Sequence, residues 1–292
     1  MATLGPLLSV LLFLAAIIAA FWYLRTEEID REVESVKRDA ELVQQQIRLR
    51  LIDNQEQLVR LAREVVTHTI DRDQLLGQAE ALVRERPEMV SLTWLSQNRQ
   101  VVARHVSPDL VAAMPRLGTP GTSDQTEEPR QRATLDAFTD ARETRLPVYS
   151  RPFRHADRLI VFQVHVPLID HGNFAGTLVA EYAIDSLLRY FVPAEVSRRR
   201  VISLLDAEDE VMVSTVSGRP GRPSPGLTYT VPFAPVDHGV TLRGEGYRTS
   251  VGLVGNTLFW MVLALSALTL WMLFGTWRHM RRRLQIQGAL VQ

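Results

Sequence analysis

Two uncharged apolar stretches, Leu4–Leu24 and Val251–Trp277, bracket an otherwise polar chain of 292 residues. A helix rises about 1.5 Å per residue, so roughly 20 apolar residues reach across a hydrocarbon layer about 30 Å thick. Both stretches have that length. The first holds no Asp, Glu, Lys or Arg to oppose the favourable insertion of its Leu, Ile, Val and Phe residues. The pattern predicts two transmembrane helices, at residues 1–25 and 251–277, with Trp22, Tyr23, Trp260, Trp271 and Trp277 in or beside the headgroup layers. A cleaved signal peptide is the competing reading of the first stretch, given the small residues Ala15, Ala16, Ala19 and Ala20. Against it, Met1–Pro6 carries no Lys or Arg.

Arg278, Arg281, Arg282 and Arg283 follow the second stretch directly, and short Arg-rich flanks stay in the cytoplasm. The expected topology has cytoplasmic termini, a basic tail at 278–292 and a central segment on the far side of the membrane. All 33 acidic residues lie within residues 25–250, whereas those four of the 33 basic residues lie outside it, leaving the segment a net charge of −4. A mildly acidic segment is a poor nucleic-acid partner. The absence of Cys excludes disulfides and thiol chemistry.

From Thr26 to Ile70 there is no Gly or Pro, and one stripe recurs in steps of three and four: Ile29, Val33, Val36, Ala40, Val43, Ile47, Leu51, Asn54, Leu58, Leu61 and Val65. That period predicts one long helix over 26–70, its stripe pairing with a second subunit near the membrane and packing on a globular domain further out. Asp71 and Gln74 form a capping-box pattern for a helix Arg72–Arg86, which Pro87 stops. The period then changes to that of strands. A hairpin is expected at Met89–Leu95 and Gln100–Val106, a loop at Ser107–Arg130, and a helix at Ala133–Glu143. Strands Arg158–Leu168 and Phe174–Ala183 follow, with a closing helix at Ile184–Phe191. These residues, 71–193, read as one module.

Residues 194–250 repeat the plan on a smaller scale, with strands expected at Val201–Leu205, Glu210–Val216, Thr228–Phe233 and Val240–Tyr247. Val166-Pro167-Leu168, Asp170-His171-Gly172, Thr177-Leu178 and Tyr182 have counterparts in Val231-Pro232-Phe233, Asp237-His238-Gly239, Thr241-Leu242 and Tyr247. A shared strand, turn and strand argues for two related modules. The fold class expected is α+β: two transmembrane helices flanking a long N-terminal helix and two tandem antiparallel-sheet modules.

This order resembles the extracytoplasmic tandem PAS-like region, or double Cache domain, of bacterial transmembrane sensor proteins, over about residues 25–250. Tyr149-Ser150-Arg151-Pro152-Phe153, the Val166-Pro167-Leu168 strand and the Phe174–Tyr182 strand are similar to the membrane-distal module of proteobacterial sensor histidine kinases. Val201-Ile202-Ser203-Leu204-Leu205-Asp206 and Val231-Pro232-Phe233-Ala234-Pro235 resemble the proximal module. The resemblance implies a bacterial inner-membrane protein with a periplasmic sensor domain, a small-molecule ligand, a homodimer and a cytoplasmic signalling output. The departure is at the output. These residues hold no Ser-His-Glu-Leu-Arg phosphoacceptor segment, no ATP-binding boxes and no Gly-Gly-Asp-Glu-Phe cyclase motif, and His279 sits in an Arg cluster without a phosphoacceptor's context. Catalysis is expected on a continuation or another polypeptide.

Sensor modules of this kind hold ligands between the sheet and its covering segment, here Ala133–His155. The facing strands would present Trp94, Phe162 or Gln163, and Val164 or His165. Arg151 and Arg154, with Tyr149 and His155 nearby, suit a carboxylate, because guanidinium binds it bidentately, which points to an organic acid or amino acid. His165 alternates with Val164 and Val166, so it faces the opposite side, where a structural role is expected. His171 and His238 stand in Asp-His-Gly turns and read as incidental. No spacing suggests a metal or cofactor site, and none suggests a nucleophile elbow. The leading expectation is the input region of a two-component sensor. The input half of a chemoreceptor or diguanylate cyclase and a membrane-tethered scaffold binding a partner through its long helix are the alternatives.

Overall fold

The computed structural model describes residues 4–108, 124–154, 159–216, 227–246, 260–272 and 274–275. Chain contacts divide it into two units, Ser35–Tyr247 and a second made of Met1–Glu34 with Arg248–Gln292. Helix α1 runs Leu4–Val66. With no Gly or Pro from Thr26 to Ile70, nothing interrupts its backbone ladder there. Within the larger unit its stripe is deeply buried: Val36, Ala40, Val43, Ile47, Leu51 and Leu58 are at most 1% exposed.

After a turn that places His68 at φ 52°, Asp71 caps α2 (Arg72–Glu85). The capping box is complete: the Gln74 amide donates to Asp71 Oδ1 at 2.8 Å and the Asp71 amide to Gln74 Oε1 at 2.9 Å. The hairpin β1 (Met89–Ser96) and β2 (Val101–Val106) follows, then α3 (Asp124–Thr144) and the short β3 (Val148–Tyr149) and β4 (Phe153–Arg154). Two long strands, β5 (Ile160–Asp170) and β6 (Asn173–Ala183), lead to α4 (Ile184–Phe191). The antiparallel order is β2-β1-β6-β5-β3, with β4 also pairing β5. Helix α5 (Ala194–Arg199) enters a second antiparallel sheet. Its strands are β7 (Arg200–Leu205), β8 (Val211–Ser214), β9 (Thr228–Pro232) and β10 (Thr241–Gly246), in the order β8-β7-β10-β9.

One continuous core joins these parts. The α1 stripe packs against α2 residues Leu75, Ala79 and Val83, against Phe162, Val164, Leu178, Ala180 and Tyr182 of the first sheet, and against Ile202, Leu204 and Leu242 of the second. Approach to the second sheet is close enough to need glycine: a Cβ on Gly244 would meet Ala40 Cβ at 3.1 Å. Arg200 anchors the same face, donating to Asp39 Oδ2 at 3.1 Å and Ser35 Oγ at 3.0 Å.

The structure corrects one part of the expected fold class. Among the described residues no helix is long and apolar enough to cross a membrane. Leu4–Leu24 is not a separate span; it is the start of a helix that continues to Val66 through charged sequence. In the second stretch, continuous helix is described for residues 260–272, which at about 1.5 Å per residue covers about 20 Å. The two expected transmembrane helices are therefore withdrawn. Two lesser differences concern α3, which begins at Asp124, inside the expected loop, and the expected strand at Glu210–Val216, which is shorter. Residues 109–123 of that loop and Tyr247 of the last expected strand lie outside the described residues.

Gly176 separates sheet geometry from packing in a testable way. Its φ is 142°, and a Cβ there would lie 2.0 Å from the Leu95 carbonyl oxygen of the paired strand. Gly172 also has positive φ, 82°, but faces open space. Gly176→Ala is expected to cost about 3 kcal/mol or more, because strand β1 must move, and Gly172→Ala only about 1 kcal/mol. Denaturant unfolding of both variants measures the difference; equal costs would show that β1 and β6 are not held this closely.

Candidate functional site

Helix α3 covers the face of the first sheet that α1 does not use. It lays Ala133, Ala137, Phe138 and Ala141 on the sheet, and its apolar anchors sit at two separate places. At one, Ala133 meets Val90, Phe153, Val161 and Ala183; at the other, Phe138 meets Leu95 and Val179 and packs edge-on against Phe174 at 5.4 Å. Three buried alanines at four-residue spacing occupy one helix face.

Strand register builds a polar row on this covered face. Ser91, Glu181 and Gln163 are cross-strand partners on β1, β6 and β5. Each is at most 4% exposed. Ser91 Oγ donates to Glu181 Oε2 at 2.7 Å, and Gln163 Nε2 donates to Glu181 Oε1 at 2.8 Å. The row continues to Ser150, whose amide donates to the Gln163 carbonyl at 2.8 Å and whose hydroxyl accepts from the Gln163 amide at 2.8 Å. Burial alone would raise the Glu181 pKa. The hydrogen bonds from Ser91 and Gln163, with the charges of Arg104 and Arg130, outweigh it and hold the carboxyl below its ordinary value, so it is ionised.

The carboxylate decides the protonation of its neighbour. Because the Gln163 amide nitrogen faces Glu181, its carbonyl oxygen faces His165, and His165 Nε2 donates to it at 3.0 Å. His165 Nδ1 is then the unprotonated acceptor, buried and without a partner. Burial lowers the His165 pKa to about 3, against the opposing pull of Glu181, so the ring is neutral. Thr177 Oγ1, on the same face of β6 as Glu181, is also buried with no partner. Such atoms normally mark a place where water or a ligand belongs.

Two openings lie along α3, and of the polar row Ser150 lines the first. A cavity of about 390 Å³ lies between α3 and the Tyr149–Arg151 edge, with Asp136, Asp140, Ser150 and His238 on its walls. A wider groove of about 800 Å³ runs from the β1–β2 turn at Arg99 along the first half of α3, past Arg130 and Phe138.

The residues named from sequence divide accordingly. Gln163 and His165 stand together in the polar row, and Tyr149 and Arg151 line the smaller cavity. Trp94 packs on the α1 side, the opposite face from Gln163 and His165, because it pairs with Leu178 in the core. Arg154 is exposed at the end of β4, and His155 lies outside the described residues. His238 is not incidental: its Nε2 donates to the Tyr149 carbonyl at 2.8 Å, tying the turn before β10 to the cavity edge. Sequence reasoning missed Ser91, Thr177 and Glu181. The available signal was an acidic residue inside the apolar run of β6, in phase with Thr177 and Val179.

No known family's sequence profile matches the chain, and no curated protein sequence does. Among solved structures, it is similar to the extracellular ligand binding receptor from Desulfohalobium retbaense, at 13% identity and TM-score 0.49, over 73% of this chain and 40% of that one. It is similar also to the ligand-binding domain of the Pseudomonas aeruginosa amino acid chemoreceptor PctC, in complex with GABA, at 14% identity and TM-score 0.45, over 70% and 94% of the two chains. A third is the ligand-binding domain of a Campylobacter jejuni chemoreceptor in complex with L-valine, at 10% identity and TM-score 0.45, over 77% and 95%.

The neutral, buried His165 makes stability depend on pH. Its folded pKa, about 3, lies below the ordinary 6.5, so unfolding takes up a proton between these values and stability is lost as pH falls from 6.5 toward 3. Glu181, also depressed, adds to the loss only below its ordinary 4.5. Between pH 6 and 5 the His165 contribution to the slope approaches about 1.4 kcal/mol per pH unit. Urea titrations at several pH values should show that part of the slope disappear in His165→Gln; an unchanged slope would contradict a neutral buried ring.

Proposed function

We propose that residues 35–247 are a ligand-sensing input domain that takes a small zwitterion, an amino acid or a close relative, between the first sheet and α3. The observation that carries this reading is the buried polar row: an ionised Glu181 beside a His165 acceptor nitrogen that nothing in the protein satisfies. An ammonium group supplies the donors that His165 Nδ1 and the Glu181 carboxylate accept. Arg104, 3.9 Å from Glu181, and Arg130 supply positive charge for the ligand's carboxylate. A plain organic acid would bring a second anion to an ionised carboxylate, so the amino acid is the better fit. The double-Cache resemblance of the sequence points the same way.

The signalling role follows from what each element touches. The ligand site uses one face of the first sheet and α1 the other, so a ligand that favours one arrangement of the strands biases α1. A tenfold difference in affinity between two arrangements supplies about 1.4 kcal/mol of bias. The output, of histidine-kinase, chemoreceptor or cyclase type, acts through residues outside this domain, and the domain works outside the cytoplasm. The scaffold reading loses most of its binding face, because the α1 stripe from Val36 to Val65 is covered by the protein's own two sheets and α2.

Thermal melting of the full chain against panels of amino acids and of dicarboxylic acids tests the ligand class. An amino acid at 100 times its Kd should add about 2.7 kcal/mol and raise the Tm by several degrees. Glu181→Gln should abolish that shift. A rise with dicarboxylates alone would replace the zwitterion by an anion, and no response to either panel would remove the ligand reading. A periplasm-dependent reporter enzyme fused within residues 35–247 tests location; an inactive fusion, with a cytoplasm-dependent reporter active at the same position, would overturn it.

A further inference from the structure

On the α1 side of the first sheet, Asn54 interrupts the apolar stripe between Leu51 and Leu58, yet it is 1% exposed. It meets Glu88, the residue just before β1, which is fully buried. Asn54 Nδ2 donates to Glu88 Oε1 at 3.0 Å, and Arg50 Nε donates to the same oxygen at 2.8 Å. One turn along, Arg86 Nη2 donates to Asp53 Oδ2 at 2.9 Å. Arg50, Asp53 and Asn54 thus grip the two residues flanking Pro87, while the Glu88 carbonyl accepts from the Ala183 amide at 2.9 Å and so belongs to the sheet.

This cluster is poorly built for stability. Asn54 Oδ1, Arg86 Nη1, Glu88 Oε2 and Tyr182 Oη are all buried without partners. Half-satisfied buried polar groups cost more than an apolar core would. What the cluster provides is position. The apolar residues of α1 recur every three or four positions, so a slip of one turn, about 5.4 Å, again sets apolar against apolar on the first sheet, while the Ala40–Gly244 approach and the Arg200 bonds resist it on the second. The same slip strips Glu88 of both donors and buries its charge unpaired. A buried polar residue in an apolar seam is a known means of fixing register at a cost in stability.

We propose that the Asn54–Arg50–Glu88 cluster is a register key that sets the axial position of α1 against the first sheet. Tyr182, whose hydroxyl is one of the unmet atoms, follows Glu181 on β6, so the key lies one residue from the polar row and on the opposite face. The key stands on the α1 contacts alone and does not require the ligand reading.

The chain has no Cys, so paired spin labels can be placed cleanly at Gln46→Cys on α1 and Asn98→Cys in the β1–β2 turn, both exposed. In the full-length protein one narrow distance is expected. Asn54→Leu should keep or raise the melting temperature while adding a second distance, displaced by up to about 5 Å, one helical turn. Glu88→Gln, which keeps the shape but removes the charge that holds Arg50, should broaden the distance in the same sense. A single unshifted distance in both variants overturns the proposal, as does loss of folding in both, which would make the cluster a stability element.

Discussion

Both sheets of this protein depend on one surface, the buried stripe of α1 from Val36 to Val65. A sheet with one apolar face needs a partner, and here a single helix serves two. The second sheet comes so near that Gly244 faces Ala40, and Arg200 ties its first strand to Asp39 and Ser35. The first sheet meets the other half of the stripe through Phe162 and Tyr182, whose rings stack at 5.5 Å. Because α1 is used up in this way, the remaining face of the first sheet is free to be specialised.

That second face is specialised in charge. Cover by α3 is apolar at its two anchor points, Ala133 and Phe138, while the sheet face it covers carries the buried Ser91, Glu181 and Gln163. A buried carboxylate is costly unless donors surround it, and Glu181 has two side-chain donors and two arginines in range. The hydrogen-bond chain then runs outward to His165 and stops at an acceptor with nothing to accept. The His238 bond to the Tyr149 carbonyl joins the second sheet's turn to the same region, so two parts far apart in sequence report on one cavity.

Elements with a strong local period were legible in the sequence. The α1 stripe, the Asp71 capping box, the β1–β2 hairpin and the α4 helix at Ile184–Phe191 need only nearest-neighbour physics to be read. Hydropathy alone misled at the two apolar stretches, since length and composition do not say where a helix continues into charged sequence, as α1 does beyond Leu24. The polar row was hidden for a different reason. Ser91, Gln163 and Glu181 are far apart in the chain and become partners only when β1, β6 and β5 take their register. Asn54 was visible as a flaw in the stripe, but its meaning rests on Glu88, thirty-four positions away. The turn histidines looked alike; His171 is exposed beside Asp170, whereas His238 reaches a distant carbonyl.

Hydrogen exchange of the full chain in increasing sub-denaturing urea tests the shared helix most directly. If α1 supports both sheets, amides of residues 36–65 and of β5, β6, β7 and β10 should lose protection together, with one common free energy of opening. Separate opening of the second sheet while α1 and the first sheet stay protected would show that the two sheets do not depend on a common spine.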